Sequence, residues 1–310
     1  MRNAFIAELI ELAAQDPRIL LITADLGFGV FESFAKSHPK QFLNAGVAEQ
    51  NMTGLATGLA LDGRIVFTYS IANFPSLRCL EQIRNDAAYH DANVKVVSIG
   101  SGFSYGALGV SHHATEDLAI LRSLPTLTVV SPGDEWEVRQ ATRALIAHPG
   151  TCYLRLDKSK APPSHKPGDV FEIGKARLVR AGTDLTIATC GGILEVALQA
   201  ADTLAKEHGI HCRILSVHTA KPLDVDALRA AARETGGILA LEEHTVNGGL
   251  GGAIAESLLE LGEIPKRFVR MGLRGGFASA VGSQEYLRKV YGLDAPAVVA
   301  QALDIARHNV

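Results

Sequence analysis

Short apolar runs rich in Val and Ile alternate along the chain with segments whose apolar residues recur at helical spacing. In the first half, these runs predict buried strands at residues 19–23, 65–69, 94–99, 126–130 and 152–156. Helices are predicted around residues 46–61, 76–91, 116–123 and 134–147. Strands that are apolar throughout and separated by helices are typical of βαβ units, so we expect a mostly parallel sheet covered on both faces.

The same alternation resumes after residues 157–169, a stretch rich in Pro, Lys and Ser that has the composition of a linker. Further strands are predicted at 185–189, 212–217, 238–241 and 268–271, with helices near 193–207, 224–234, 251–261, 283–291 and 296–307. The expected fold class is α/β, with two domains that are each a mostly parallel sheet with helices on both faces. We place the first domain at residues 1–160, the linker at 161–172 and the second domain at 173–310.

Composition narrows the function classes. The 310 residues are 47% hydrophobic and 20% charged, which allows a sizeable core. A net charge of −3 without a basic block argues against nucleic-acid binding. No apolar run is long enough for a membrane span, and Glu8 and Glu11 within the N-terminal apolar run argue against a signal peptide. Four scattered cysteines without a CxxC pair suggest reduced thiols in a cytoplasmic protein, and the histidines suggest no metal site.

The first candidate for chemistry is Glu49, within residues 42–63 (FLNAGVAEQNMTGLATGLALDG). It stands at the start of a predicted helix in which Gly46, Gly54 and Gly58 leave one face nearly bare, so that a backbone or a flat ring can approach. A carboxylate in such a poorly hydrated place could take part in proton transfer. The alternative is a solvated glutamate that the helix dipole favours in the first turn.

Further candidates lie in the loops after the predicted strands, because ligands of open parallel sheets bind beyond the carboxyl ends of the strands. Phe74, between Asn73 and Pro75, could pack in the core, which is the commoner fate of Phe, or could be a platform for a flat heterocycle. The loop 100–116 is long and rich in glycine, as functional loops often are. His112 in that loop is a candidate acid, base or hydrogen-bonding group.

The motifs that hold these candidates resemble a known family. GVAEQNM, YSIANF and the loop ending GVSHHATEDLAILRSLP resemble, in that order, the pyrimidine-binding domain of transketolases and of the related deoxyxylulose-phosphate synthases. In the second half, VHTAKPLD and LALEEHTVNGGLGGAIAE are similar to the C-terminal domain of the same group. The resemblance covers essentially the whole chain. It implies a thiamine diphosphate-dependent transferase that moves a two-carbon ketol unit from a ketose to an aldose or aldehyde.

The family's diphosphate-binding domain has no counterpart in this sequence. That domain carries a GDG motif followed by an Asn that ligates the metal, whereas here Asp62-Gly63 occurs only in LALDGRI. The resemblance therefore implies the C-terminal subunit of a split transketolase. An N-terminal partner subunit would hold Mg²⁺ (or Ca²⁺) and the diphosphate, in an expected α2β2 assembly.

The resemblance also implies roles for individual residues. Glu49 corresponds to the catalytic glutamate that hydrogen-bonds N1′ of the cofactor's aminopyrimidine, and Phe74 to the aromatic residue that stacks on that ring. Ile71 and Leu77 correspond to two further pocket positions that are aromatic in well-known transketolases. Asp25 corresponds to an Asp near the cofactor and the subunit contact.

On the substrate side, His112 corresponds to a histidine that contacts substrate hydroxyls. Arg155 corresponds to an arginine that binds the acceptor phosphate, and its alternative is an ion pair with a nearby acid such as Asp157. Three polar residues of the family are replaced here, a His by Gly100, an Asp by Leu108 and a Ser by Gly29. These departures lead us to expect a modified sugar, a shorter donor or a substrate with a non-phosphate end.

Other functions remain open at this point. A deoxyxylulose-phosphate-synthase-like subunit, a β subunit of a 2-oxoacid dehydrogenase and another carboligase acting on a modified sugar share much of the plan. Gly248-Gly249-Leu250-Gly251-Gly252 after a predicted strand weakly suggests a dinucleotide-binding protein. A non-catalytic partner that kept the fold is the remaining alternative.

Overall fold

The computed structural model describes residues 1–27, 29–158 and 163–307, and its strands form two open sheets. In chain order the strands are β1 (Ile19–Thr23), β2 (Phe42–Asn44), β3 (Ile65–Ile71), β4 (Val94–Ile99), β5 (Thr128–Val130), β6 (Cys152–Leu156), β7 (Arg177–Arg180), β8 (Leu185–Thr189), β9 (Cys212–Ser216), β10 (Thr219–Lys221), β11 (Ile238–Thr245) and β12 (Phe268–Leu273). The helices are α1 (Arg2–Ala13), α2 (Glu32–Ser37), α3 (Glu49–Leu61), α4 (Leu80–Gln82, continued by a π-helical turn Ile83–Ala88), α5 (Asp117–Arg122), α6 (Glu135–Ala147), α7 (Leu194–His208), α8 (Val225–Glu234), α9 (Leu250–Glu260), α10 (Gln284–Val290) and α11 (Ala295–Arg307).

The first sheet has seven strands in the order β10-β5-β6-β4-β3-β1-β2. All of its neighbouring strands are parallel except the edge pair β10 and β5. Successive residues of β1 belong to two different hydrophobic clusters, with Leu20 and Ile22 in one and Ile19 and Leu21 in the other. The sheet is therefore packed on both faces, as the continuous apolar runs predicted.

The second sheet has five strands in the order β12-β11-β8-β9-β7, and β7 alone runs antiparallel to its neighbour. Its inner strand β11 also has core on both faces, since Ile238 and Ala240 join one cluster and Leu239 and Leu241 another. The predicted fold class, two α/β domains with mostly parallel sheets, is confirmed.

Several predicted boundaries are corrected. The short edge strands β2, β7 and β10 were not predicted, because runs of only three or four residues carry little pattern. β10 lies after the second domain's strand β9 and yet pairs with β5 of the first sheet, so the two domains are interleaved. The helix predicted from residue 76 begins only at Leu80, because residues 72–79 form turns. The start of the linker predicted at 161–172 falls partly outside the described residues.

Two features are absent from the described residues, a membrane-spanning helix and a cluster of metal-ligating side chains. Within the described ranges, none of the helices combines the length and apolar character needed to cross a membrane. Across the same residues, His, Cys, Asp and Glu side chains do not cluster in threes as a metal site would require. All four cysteines are free and buried, as expected for reduced thiols.

Candidate functional site

Glu49 is the first residue of α3, and its side chain is only 5% exposed. The chain turns into the helix at Gly46, whose φ of +72° favours glycine. Side chains at Gly54 and Gly58 would meet nothing within 4 Å, so this face of α3 is open, as the spacing predicted. The glutamate is thus buried at the edge of a bare helix face, and it is not the solvated first-turn residue of the alternative interpretation.

Arg78 connects Glu49 to Phe74. Its Nη1 lies 2.9 Å from Oε1 of Glu49, and its Cζ lies 4.4 Å from the centroid of the Phe74 ring. The side chain of Arg78 is 48% exposed, so the pairing forms at the border of the solvent. Sequence reasoning missed this residue; its position four residues after Phe74 on the same turn was the available signal.

His112 lies on the other side of Phe74. The two ring centroids are 5.2 Å apart and the planes meet at 68°, an edge-to-face contact. Asn73 Nδ2 donates to the backbone oxygen of His113 at 2.9 Å, which fixes the Phe74 turn to the His112 loop. Burial lowers the pKa of His112, with a smaller contribution from His113, so its imidazole is neutral at pH 7.

The remaining predicted cofactor residues lie at or after the ends of the neighbouring strands β1 and β3. Ile71, at the end of β3, and Leu77 are half-buried on the turn that carries Phe74. Asp25 is exposed at the end of β1, with a left-handed φ of +53°. Its carboxylate accepts a hydrogen bond from Asn44 Nδ2 at 3.1 Å, at the edge formed by β1 and β2.

Arg155, which the resemblance assigns to an acceptor phosphate, makes contacts inside the protein. The side chain is 2% exposed, and its Nε donates to Oδ2 of Asp117 at 2.8 Å. Its Nη2 donates to the backbone oxygens of Ala114 (2.8 Å) and Glu243 (3.2 Å). Arg155 is therefore a buried cation in contact with both predicted domains. The alternative, an ion pair with a nearby acid such as Asp157, agrees with the observed pair between Arg155 and Asp117.

Two of the departures from the family pattern have a structural explanation. A Cβ at Gly100, where φ is +107°, would lie 2.3 Å from the ring of Tyr105, so that ring occupies the space of the missing side chain. The Tyr105 ring lies 6.4 Å from that of His112, and Lys158 Nζ lies 4.7 Å above it. Leu108 is 56% exposed in the same loop and presents an apolar surface. This part of the His112 loop therefore presents aromatic and apolar side chains.

In the glycine-rich segment that suggested dinucleotide binding, two backbone N–H groups already have a hydrogen-bond acceptor. It forms the N-terminus of α9, where the backbone N–H groups of Leu250 and Gly251 donate to the Glu242 carboxylate at 2.7 and 2.9 Å. A Cβ at Gly249 would lie 2.0 Å from Oε2 of Glu242. A diphosphate would need the same N–H groups and would meet a buried carboxylate, so the arrangement argues against dinucleotide binding.

Comparison with known proteins agrees with this architecture. Residues 1–163 match the transketolase pyrimidine binding domain and residues 174–298 the transketolase C-terminal domain. The chain therefore belongs to the transketolase family.

Individual relatives match along nearly their full length. An apulose-4-phosphate transketolase subunit of Phocaeicola vulgatus is 38% identical over 99% of this chain and 97% of its own. The 6-deoxy-6-sulfo-D-fructose transketolase subunit SqwH of Clostridium sp. (strain MSTE9) is 38% identical over 100% and 95%. A solved structure, described as a split gene transketolase, inactive beta4 tetramer, superposes with a TM-score of 0.90 at 36% identity and covers 100% of this chain and 99% of its own.

Replacing Arg155 should test its structural role. Arg155→Ala leaves Asp117 buried without its cation, which typically costs about 3–5 kcal/mol, measurable by urea unfolding. The matched control Arg180→Ala breaks a partly exposed pair with Asp202 and should cost roughly 0.2–1 kcal/mol. If the Arg155→Ala chain has wild-type stability but binds phosphorylated acceptors poorly, the result would favour phosphate binding by Arg155 over a structural role.

The pH dependence of stability gives a second check on this pair. Burial disfavours the Asp117 carboxylate, but Arg155, His244 and the hydrogen bonds from Arg155 and Tyr153 outweigh burial and lower the pKa of Asp117 below its ordinary 3.8. A lowered folded-state pKa stabilises the fold fully above the ordinary value, and this contribution is lost as pH falls through the lowered one. Acid unfolding of the wild-type chain should therefore include a component below pH 3.8 that Asp117→Asn removes.

Proposed function

We propose that this chain is the C-terminal subunit of a two-chain, thiamine diphosphate-dependent transketolase that transfers a ketol unit from a ketose to an aldose or aldehyde. The observation that carries the proposal is the contact series from the Glu49 carboxylate through Arg78 to the Phe74 ring and His112. Family membership supports the reaction class, and this contact series supports the assignment of the residues.

The residues fit the aminopyrimidine of the cofactor. The guanidinium of Arg78 is a planar nitrogen group that donates to Glu49 and lies over the Phe74 ring. An aminopyrimidine is likewise planar, hydrogen-bonds through ring nitrogen and stacks on an aromatic face. Because Arg78 is half-exposed, its side chain can move aside without unfolding the site.

When bound, thiamine diphosphate supplies the nucleophilic carbon and the electron sink that ketol transfer needs. In our proposal Glu49 holds a proton at N1′ of the pyrimidine, while Phe74, Ile71 and Leu77 orient the ring. His112, neutral at pH 7, exchanges hydrogen bonds with substrate hydroxyls. Asp25, exposed at the edge of the sheet, lies near the cofactor and the partner subunit.

A partner chain completes the site in this proposal. The sequence lacks the GDG…Asn motif, so the diphosphate and Mg²⁺ (or Ca²⁺) would be held by an N-terminal subunit, as an α2β2 assembly. Two features of the relatives support a partner chain: the Phocaeicola vulgatus protein is named as one subunit of a transketolase, and the split gene structure, a beta4 tetramer, is described as inactive.

The substrate is expected to differ from the usual sugar-phosphate pair. Arg155 is buried, Tyr105 fills the space at Gly100, and Leu108 is exposed. The names of two relatives specify a sugar phosphate and a sulfo-sugar, which supports an unusual sugar here as well. A deoxyxylulose-phosphate-synthase-like or 2-oxoacid dehydrogenase β-type subunit is the alternative, and decarboxylation of pyruvate without ketol transfer would favour it.

Glu49→Gln tests the cofactor assignment. The amide keeps the shape of the side chain but cannot stabilise a protonated N1′, so C2–H/D exchange of bound cofactor in the complex with the partner should fall at least ~100-fold. The exposed Glu81→Gln, in the same domain, is the matched control and should exchange like the wild type. Wild-type exchange in Glu49→Gln would refute the assignment.

The pH dependence of kcat/KM tests His112. The pKa of His112 is lowered from its ordinary 6.5, so the imidazole should stay mostly neutral as the pH falls to 6.5. We therefore expect kcat/KM to decline only below pH 6.5. His112→Asn should remove this acid limb and lower kcat/KM roughly tenfold, the value of one or two hydrogen bonds. An acid limb that is unchanged in His112→Asn would exclude His112 as its source.

A further inference from the structure

The loop that carries His112 is closed at its base by a two-residue bridge. Gly102 N donates to the oxygen of Ala114 at 2.9 Å, and Ala114 N donates back to Gly102 at 3.0 Å. Beyond this bridge, the His113 ring meets the ring of Phe103 edge to face, with centroids 5.2 Å apart. The position of His112 therefore depends on how the residues at this base are held.

Strand β11 of the second domain ends against this base. The carboxylate of Glu243, buried to all but 4%, accepts a hydrogen bond from Phe103 N at 2.5 Å. Two residues later, Thr245 N donates to the oxygen of Thr115 at 2.8 Å. The end of one strand thus holds both sides of the loop base.

Glu243 is itself held within the second domain. Gln284 Nε2 donates to its Oε1 at 2.9 Å, and Arg288 Nε donates to its Oε2. Both donors belong to α10, so the carboxylate is held between that helix and the loop base. A buried carboxylate with these three donors is fully satisfied and has one fixed orientation.

Gly102 shows that the loop is shaped around this carboxylate. A Cβ at Gly102 would lie 2.3 Å from Oε1 of Glu243, and the backbone φ there is +55°. A side chain at this position of the loop would collide with the carboxylate, and the residue there has none.

We propose that Glu243 is a positioning residue of the active site, through which the C-terminal domain sets the His112 loop against Phe74. It acts through Phe103 and His113 and touches neither Glu49 nor Arg78 in the contacts of the described residues. It serves the substrate side of the site and not activation of the cofactor. This inference rests on the proposed function in taking His112 as the substrate-binding residue.

The test compares Glu243→Ala and Glu243→Gln with Glu256→Ala. Glu256 forms an exposed pair with Arg122 across the same domain interface but does not touch the loop base, so it controls for interdomain ion pairs in general. Amide hydrogen exchange of residues 100–116 in the full chain should accelerate at least ~10-fold in Glu243→Ala and stay unchanged in Glu256→Ala.

The complex with the partner subunit supplies the kinetic readout. Glu243→Ala should lower kcat/KM for ketol transfer by ~10- to 100-fold, because misplacing a contacting group by about 1 Å has such effects. C2–H/D exchange of bound cofactor should stay within about twofold, since Glu49 is untouched. Glu243→Gln keeps an acceptor for Phe103 N and should fall between wild type and Glu243→Ala. It also serves as the test if Glu243→Ala does not fold.

Two results would overturn the proposal: unchanged amide exchange in the loop, or parallel losses of ketol transfer, cofactor exchange and thermal stability that indicate a merely structural role. Failure of the proposed function has a different signature. A wild-type complex without ketol transfer, combined with accelerated loop exchange in Glu243→Ala, would contradict the proposed function and still support the positioning of the loop.

Discussion

A carboxylate held almost out of water at the first turn of α3 is the constraint around which the first domain's site is arranged. Burying a charge is costly unless it is paired, and Glu49 is paired with Arg78. That pairing places a planar cation over Phe74, whose ring in turn meets His112. The site therefore brings together a carboxylate, an aromatic face and an imidazole, the three groups that we propose bind the cofactor's pyrimidine and the substrate.

A second set of buried charges joins the two domains. Arg155 and Asp117 are both almost fully buried at the interface, and Arg177 of β7 pairs with Asp134 and Glu137 beside α6. Buried ion pairs contribute little net stability compared with apolar packing, but they require a particular geometry. Together with β10, which adds an edge strand to the first sheet, these pairs fix the orientation of the C-terminal domain. Because the orientation is fixed, the end of β11 in the C-terminal domain can hold the base of the His112 loop in the first domain.

Hydrophobic pattern and motif spacing predicted the parallel strands, the start of α3 and the residues Glu49, Phe74 and His112 that the fold brings together. These predictions succeeded because each strand and each motif is formed by residues that are close together in the sequence. The pairing of Arg155 with Asp117 was not predicted, because Asp117 lies 38 residues earlier in the chain and becomes a neighbour only in the folded protein. Arg78 was missed because its pairing with Glu49 spans 29 residues, and β10 because its pairing with β5 crosses the domain boundary.

The central claim is that this chain supplies half of a cofactor site. Calorimetric titration of thiamine diphosphate with Mg²⁺ into the chain alone, and into the chain mixed with a GDG-containing partner subunit, tests it most directly. We expect no saturable binding to the chain alone and saturable binding to the mixture, because the diphosphate and the metal contribute most of the charge-assisted contacts. Tight binding of thiamine diphosphate and Mg²⁺ by the chain alone would contradict it.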